Sequence, residues 1–219
     1  MRKIVVLEGI NGCGKSTAIK GLVEAYPDAI VTSHPGSTDI GKELRKLLKF
    51  GNFNLSASQE LALFAADAIG FYNQFVEVDD DKLLICDRLN ITSAVYQRAK
   101  GVTLDEMRAM YDLLIACGWK QKINKLLVFT APFEVIQSRI KKPTLVDQDK
   151  VQGDRKDRFE SAGDDYLRKV HNYYDTIDKD FEFKFILKKF VDGQDIHMIN
   201  VDRDISSVIG DVKNYIDKI

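Results

Sequence analysis

The sequence predicts an α/β fold, a parallel sheet with helices packed on both faces. Three observations carry that expectation. Short, unbroken apolar runs recur along the chain, and such runs mark strands buried on both sides. Segments with helical spacing separate them, so strand and helix alternate. A glycine-rich loop joins the first run to the first helix.

Taken in order, Ile4-Val5-Val6-Leu7 is the first strand, and residues 15–26 form the helix after the loop. Ile30-Val31-Thr32 is a shorter strand. Residues 39–49 and 58–78 read as helices, the second apolar on most sides. Residues 82–86, around Leu83-Leu84-Ile85, are a strand, followed by helices over 93–99 and 104–116. Leu126-Leu127-Val128-Phe129 is a strand, with a helix over 133–140. Residues 143–163 break the periodicity: they are polar, hold two glycines and cluster Arg155 with Arg158, which favours a mobile lid over an idle surface loop. A helix over 164–178 follows. Residues 181–195 alternate apolar and polar positions before Asp192-Gly193, a hairpin pattern with no functional reading. Met198-Ile199-Asn200-Val201 is the weakest strand, and residues 205–219 form the last helix.

A length of 219 residues suits one domain, taken as 1–219 with its lid. Lys and Arg total 32 against 33 for Asp and Glu, a net charge of -1. That balance gives no reason to expect broad binding to nucleic acid or membranes, so phosphate must be held by local basic groups. Three scattered cysteines, Cys13, Cys86 and Cys117, make neither a disulfide framework nor a metal motif, and a reducing cytoplasm is the plain reading. The first residues are interrupted too early for a signal peptide, and no apolar run reaches the roughly 18 residues of a membrane span.

The decisive motif is Gly9-Ile10-Asn11-Gly12-Cys13-Gly14-Lys15-Ser16, which fits G-x-x-x-x-G-K-[ST]. Backbone amides must converge on phosphate oxygens, and a Cβ at the tight positions would collide. The next helix adds free N-terminal amides and the positive end of its dipole. Lys15 is suited to bridge the β- and γ-phosphates of ATP, and the Ser16 hydroxyl to ligate magnesium. Asn11, Gly12, Cys13, Gly14, Lys15, Ser16 and Thr17 form the expected ATP-binding stretch. Cys13 reads as a small filler.

Asp87-Arg88 ends the strand over 82–86. An acidic residue there suits magnesium held through water, and Arg88 suits a second phosphate gripped in bidentate fashion. Ser93, Tyr96 and Gln97 share one helix face and are spaced to read the edge of a base. His34, His171 and His197 show no metal spacing, Asp79-Asp80-Asp81 reads as a solvated turn, and Trp119 as core.

These motifs together resemble thymidylate kinase. The phosphate loop with Glu8 before it, the Asp-Arg segment ending Ala94-Val95-Tyr96-Gln97, and Leu63-Phe64-Ala65-Ala66-Asp67 carry the resemblance. So do His34-Pro35-Gly36-Ser37-Thr38 with Gly41, Leu44 and Arg45, and the lid segment Asp157-Arg158-Phe159-Glu160. The resemblance implies a P-loop, three-layer fold with five parallel strands, and transfer of the γ-phosphoryl of ATP to a nucleoside monophosphate, with magnesium, in a homodimer formed through the apolar helix around Phe64. By the same resemblance Arg88 binds the acceptor phosphate and the transferring group, and Asp87 lies near magnesium with Ser16. Phe64 stacks on the base, Ser93 and Gln97 face it, and Tyr96 faces the sugar. Pro35 and Arg45 lie by the acceptor, and Arg155 or Arg158 closes over ATP.

The sequence departs from the family at three places. Asn11 replaces a carboxylate in the loop, Ala68 an arginine aimed at a thymine carbonyl, and Ser33 an arginine two places before Pro35. Thymine preference is therefore open. Asp67 favours a base with an exocyclic amine if it faces the base, and is a structural residue otherwise. Two other readings are a deoxynucleoside kinase, which His34 without an adjacent Glu supports poorly, and a nucleotide-binding regulatory protein, which Arg88 and the basic lid oppose.

Overall fold

In the computed structural model, five strands make one parallel sheet: β1 (Ile4–Glu8), β2 (Ile30–Ser33), β3 (Leu84–Asp87), β4 (Lys125–Thr130) and β5 (Ile196–Asn200), in the order β2-β3-β1-β4-β5. The structure describes residues 2–78, 80–119, 122–141, 159 and 162–219. The expected lid, with Arg155 and Arg158, lies outside the described residues apart from Phe159, Ala162 and Gly163.

All five residues of β1 are buried, as an apolar run flanked on both sides requires. Register places Leu7 opposite Asp87, and Asp87 opposite Ser33. The carboxyl ends of β1, β2 and β3 therefore finish level, and the chain leaves β1 between β3 and β4. That is where such sheets open a crevice for ligands.

Among the described residues the helices are α1 (Lys15–Ala25), α2 (Asp39–Phe50), α3 (Ala57–Phe71), α4 (Asn90–Ala99), α5 (Leu104–Ala116), α6 (Phe133–Lys141), α7 (Asp164–Thr176), α8 (Phe181–Leu187) and α9 (Ile205–Ile216). Helix α1 packs on α9, α3 on α2, α4 and α5, and α4 on α7. Capping boxes start two of them, Ser56 with Gln59 before α3 and Thr103 with Glu106 before α5, each satisfying amides the helix leaves free.

Several elements differ from the sequence expectation. The helix expected over 58–78 stops at Phe71 and widens into a π turn, Tyr72–Val76. Helix α4 begins at Asn90, three residues before the expected start. The hairpin pattern of 181–195 is instead α8 and a short 3₁₀ turn, Gly193–Asp195. A cap decides the last case: the Asp180 carboxylate accepts from the amides of Glu182 at 2.8 Å and Phe183 at 3.1 Å. Phe183, Ile186, Leu187 and Phe190 then turn inward at helical spacing, while Phe181 is left 82% exposed.

Candidate active site

The phosphate loop runs from the end of β1 into α1. Gly9 has φ 136°, and a Cβ there would lie 2.6 Å from the Phe129 carbonyl oxygen. Gly14, at φ 88°, stands where the loop turns into α1, a left-handed conformation that glycine adopts without strain. The first turn of α1 carries no acidic residue, so its free amides are open to an anion.

Lys15 is buried and folded back on the loop. Its Nζ donates to the carbonyls of Gly9 at 2.9 Å and Ile10 at 3.1 Å, and lies 3.3 Å from Cys13 Sγ. Burial, and then the Arg88 charge, lower its pKa. Arg88 sits at φ 70°, a left-handed backbone for a residue that is not glycine. It donates to the Gly9 carbonyl at 2.8 Å, to Thr92 Oγ1 at 3.2 Å, and to Asn11 Oδ1. Lys15 and Arg88 thus meet on one carbonyl oxygen. The Asn11 amide donates to the Tyr96 hydroxyl at 3.3 Å, and the Arg88 guanidinium lies 5.7 Å from the Tyr96 ring.

Beside these cations, a cleft of about 360 Å³ is lined by Ser16, Ile19, Lys20, Thr32, Ser33 and Asp87, among others. Asp87 Oδ1 is buried without a hydrogen-bond partner among the described residues. A buried carboxylate oxygen and a serine hydroxyl lining the same cleft are the kind of oxygen donors a hard divalent cation takes, with phosphate oxygens and water completing the set.

The second half of the site is built on the loop after β2. The His34–Pro35 bond is cis, and Arg45 Nη1 donates to the Pro35 carbonyl at 2.9 Å. Asp67 is buried behind this loop. One of its oxygens lies 3.4 Å from Thr38 Oγ1 and the other 3.3 Å from His34 Nε2. The Thr38 contact ties one oxygen to the loop after β2, whereas Asp67 Oδ2 and His34 Nε2, though close, have no hydrogen-bond partner among the described residues, so both readings of Asp67 stand. Burial raises its pKa to about 6, and burial with the Arg45 charge lowers that of His34 to about 3.

Phe64 lies 6.4 Å from the His34 ring and 6.5 Å from Phe159, which in turn is 5.7 Å from Tyr96. Lys100 Nζ donates to buried Glu60 at 2.6 Å and ties the end of α4 to the start of α3. Gln97 and Phe64 lie one turn in from this ion pair on α4 and α3, helices that pack on each other. Gln97 is fully buried, and neither its Oε1 nor its Nε2 has a partner among the described residues. Such a group costs on the order of 1–3 kcal/mol unless a ligand satisfies it. Ser93 Oγ donates to the Asn90 carbonyl at 2.6 Å.

The structure thus brings Asn11, Lys15, Arg88 and Tyr96 together, and groups Pro35, Arg45, Phe64 and Asp67 around one loop. Sequence reasoning gave no role to Glu8, Thr92, Tyr174 or His34. Glu8 and His34 entered only as parts of motifs that carry the family resemblance, and nothing local signalled Tyr174.

A family model described as thymidylate kinase matches residues 7–189. A thymidylate kinase of Campylobacter concisus is 31% identical over 212 residues, 97% of this chain and 97% of that protein. One of Campylobacter curvus is 28% identical, over 97% and 98%. Among solved structures, the thymidylate kinase of Candida albicans superposes with a TM-score of 0.69 at 21% identity, covering 99% of this chain and 91% of that one. That of Ehrlichia chaffeensis gives 0.66 at 21%, covering 98% of each. With a phosphate loop, an arginine sharing its first carbonyl, and a match spanning both halves of the site, the chain belongs to the thymidylate kinase family.

Proposed function

We infer that this chain transfers the γ-phosphoryl group of ATP to dTMP, giving dTDP and ADP. One observation carries the reading: Lys15 Nζ and Arg88 Nη1 lie 2.9 and 2.8 Å from the same Gly9 oxygen. Two cations so placed repel each other, and the anionic phosphates of two substrates meeting between them relieve that repulsion. Phosphoryl transfer asks a protein mainly for in-line positioning and charge compensation. Lys15 and the loop amides hold ATP. Arg88 and Arg45 hold the acceptor phosphate. Phe64 stacks on the base, Gln97 and Ser93 meet its edge, and Tyr96 meets the sugar. Ser16 and Asp87 hold Mg²⁺, which when bound offsets phosphate charge. Arg155 or Arg158 closes over ATP from a lid across 143–163 and limits loss of the phosphoryl to water.

We take the chain as a single kinase domain. Free Cys13, Cys86 and Cys117 suit a cytoplasmic setting. A homodimer through α3 fits the exposure of Ala62 and Ala66, small residues that allow close helix approach. Sedimentation at micromolar concentration should show a dimer, and a monomer throughout would remove that assignment.

The test of function is MgATP turnover with dTMP, dUMP, dCMP, dAMP, dGMP and thymidine at equal concentration. The dTMP reaction should lead. Faster turnover of thymidine would indicate a deoxynucleoside kinase, and ATP binding without acceptor-dependent consumption a regulatory protein. A lead by another monophosphate would move the base preference while leaving the reaction class in place.

A further inference from the structure

Arg88 has to hold a demanding pose. Its backbone is left-handed and its guanidinium reaches back across the loop to Gly9. Few non-glycine residues rest there unless their surroundings impose it. What surrounds Arg88 converges on Glu8, the last residue of β1, whose side chain is fully buried.

Glu8 Oε1 accepts from the Leu89 amide at 2.9 Å and the Thr92 amide at 3.1 Å, the backbone just beyond Arg88. Glu8 Oε2 accepts from the Thr92 hydroxyl and, at 2.9 Å, from the Tyr174 hydroxyl of α7. The Thr92 hydroxyl also accepts from Arg88 Nη1 at 3.2 Å. Its direction is set by chemistry. Burial raises the Glu8 pKa and the Arg88 charge opposes it; in ionised Glu8, Oε2 only accepts, so the Thr92 proton points at Glu8 and the oxygen lone pairs are left for the guanidinium. One carboxylate therefore fixes both the main chain of Arg88, through two amides, and its side chain, through Thr92. Tyr174, 166 residues away in sequence, ties α7 into the same cluster.

We propose that Glu8 is a positioning residue for phosphoryl transfer, holding Arg88 in its working pose through Thr92 and the turn amides, with Tyr174 as its brace. The proposal rests on Arg88 acting at the transferred group, as inferred above. It adds an interaction that never touches substrate.

The test is a double-mutant cycle. Glu8→Gln keeps the shape and the acceptor oxygen for the amides. It removes the charge and the obligatory acceptor for Thr92 and Tyr174. With MgATP and dTMP, kcat is expected to fall about 10- to 100-fold, with KM for ATP within about threefold and an unchanged fold by circular dichroism. In an Arg88→Ala background the same change should cost less than about threefold, because nothing is left to position. Equal losses in both backgrounds would show that Glu8 merely supports the fold and would overturn the proposal. So would a Glu8→Gln enzyme with normal kcat. If Glu8→Gln does not fold, Thr92→Val takes its place in the cycle, with about a tenfold loss expected beside Arg88 and none without it; equal losses again refute the idea. Failure of the unaltered protein to phosphorylate any monophosphate would count against the function itself. Normal activity with a silent cycle would count only against Glu8.

Discussion

Gly41→Ala is the sharpest probe of how the acceptor half is assembled. Gly41 lies in the first turn of α2, where alanine is favoured by about 1 kcal/mol on helix propensity alone. Its environment reverses that preference. A Cβ at position 41 would stand 2.1 Å from Asp67 Oδ1 and 2.7 Å from Thr38 Oγ1. Asp67 cannot withdraw freely, since it is buried and its other oxygen abuts His34. Overpacking of this kind costs about 1–3 kcal/mol, and a buried carboxylate pushed off its donors about 1–3 more. Less the helix gain, the net loss centres near 3 kcal/mol. For a chain of this size that is roughly 6–12 °C in Tm. The functional effect should be one-sided, because the displaced groups hold the Pro35 loop and Phe64, while the phosphate loop is built on β1 and α1. KM for dTMP should rise at least about tenfold with KM for ATP little changed. Calorimetry and steady-state kinetics on the purified variant decide it. A melt within about 1 °C of the parent, with an unchanged dTMP KM, would refute the packing argument.

Other predictions address the chemistry directly. Lys15→Ala should abolish turnover and leave the melting curve in place, and near-normal turnover would contradict the assignment of the loop. Arg88→Ala should lower kcat on the order of a hundredfold, and a change under about threefold would remove it from the centre. The His34–Asp67 pair predicts opposed pH dependences. Between about pH 4 and 6, native Asp67 keeps a proton that the unfolded chain has lost, whereas the unfolded chain protonates a His34 that stays neutral when folded. Each contributes a slope of about 1.4 kcal/mol per pH unit, of opposite sign, so the two offset in the parent protein. In Asp67→Asn, stability should fall as pH drops from 6.5 to 4, the His34 effect then standing alone. In His34→Gln, it should rise as pH drops from 6 to 4. Urea melts across this range check both, and parallel behaviour of the two variants would refute the opposed shifts.

Much of the sheet is readable in the sequence because strands buried on both faces permit no polar interruption, and the three central runs stand out for that reason. The phosphate loop is readable because its spacing is dictated by backbone geometry. The rest depends on partners distant in the chain. Helix α8 was hidden by a phenylalanine alternation, and only the Asp180 cap, with Phe181 left in solvent, shows which period wins. Asp67 looks from its position like a residue that reads a base, and only the fold shows that it is buried between Thr38 and a histidine 33 residues earlier. Glu8 is one acidic residue among many until Thr92 and Tyr174 are seen to close on it.

Lys15 has a consequence for which anions the loop admits. An ammonium group already solvated by two carbonyls of its own loop does not behave as a bare charge advertised to solvent. A newcomer must replace those dipoles with something better, and a single inorganic phosphate offers little advantage over them. A polyphosphate that also engages the helix amides does. If the loop binds phosphate as proposed, a Lys15 held by its own carbonyls favours phosphate chains long enough to reach the helix amides as well.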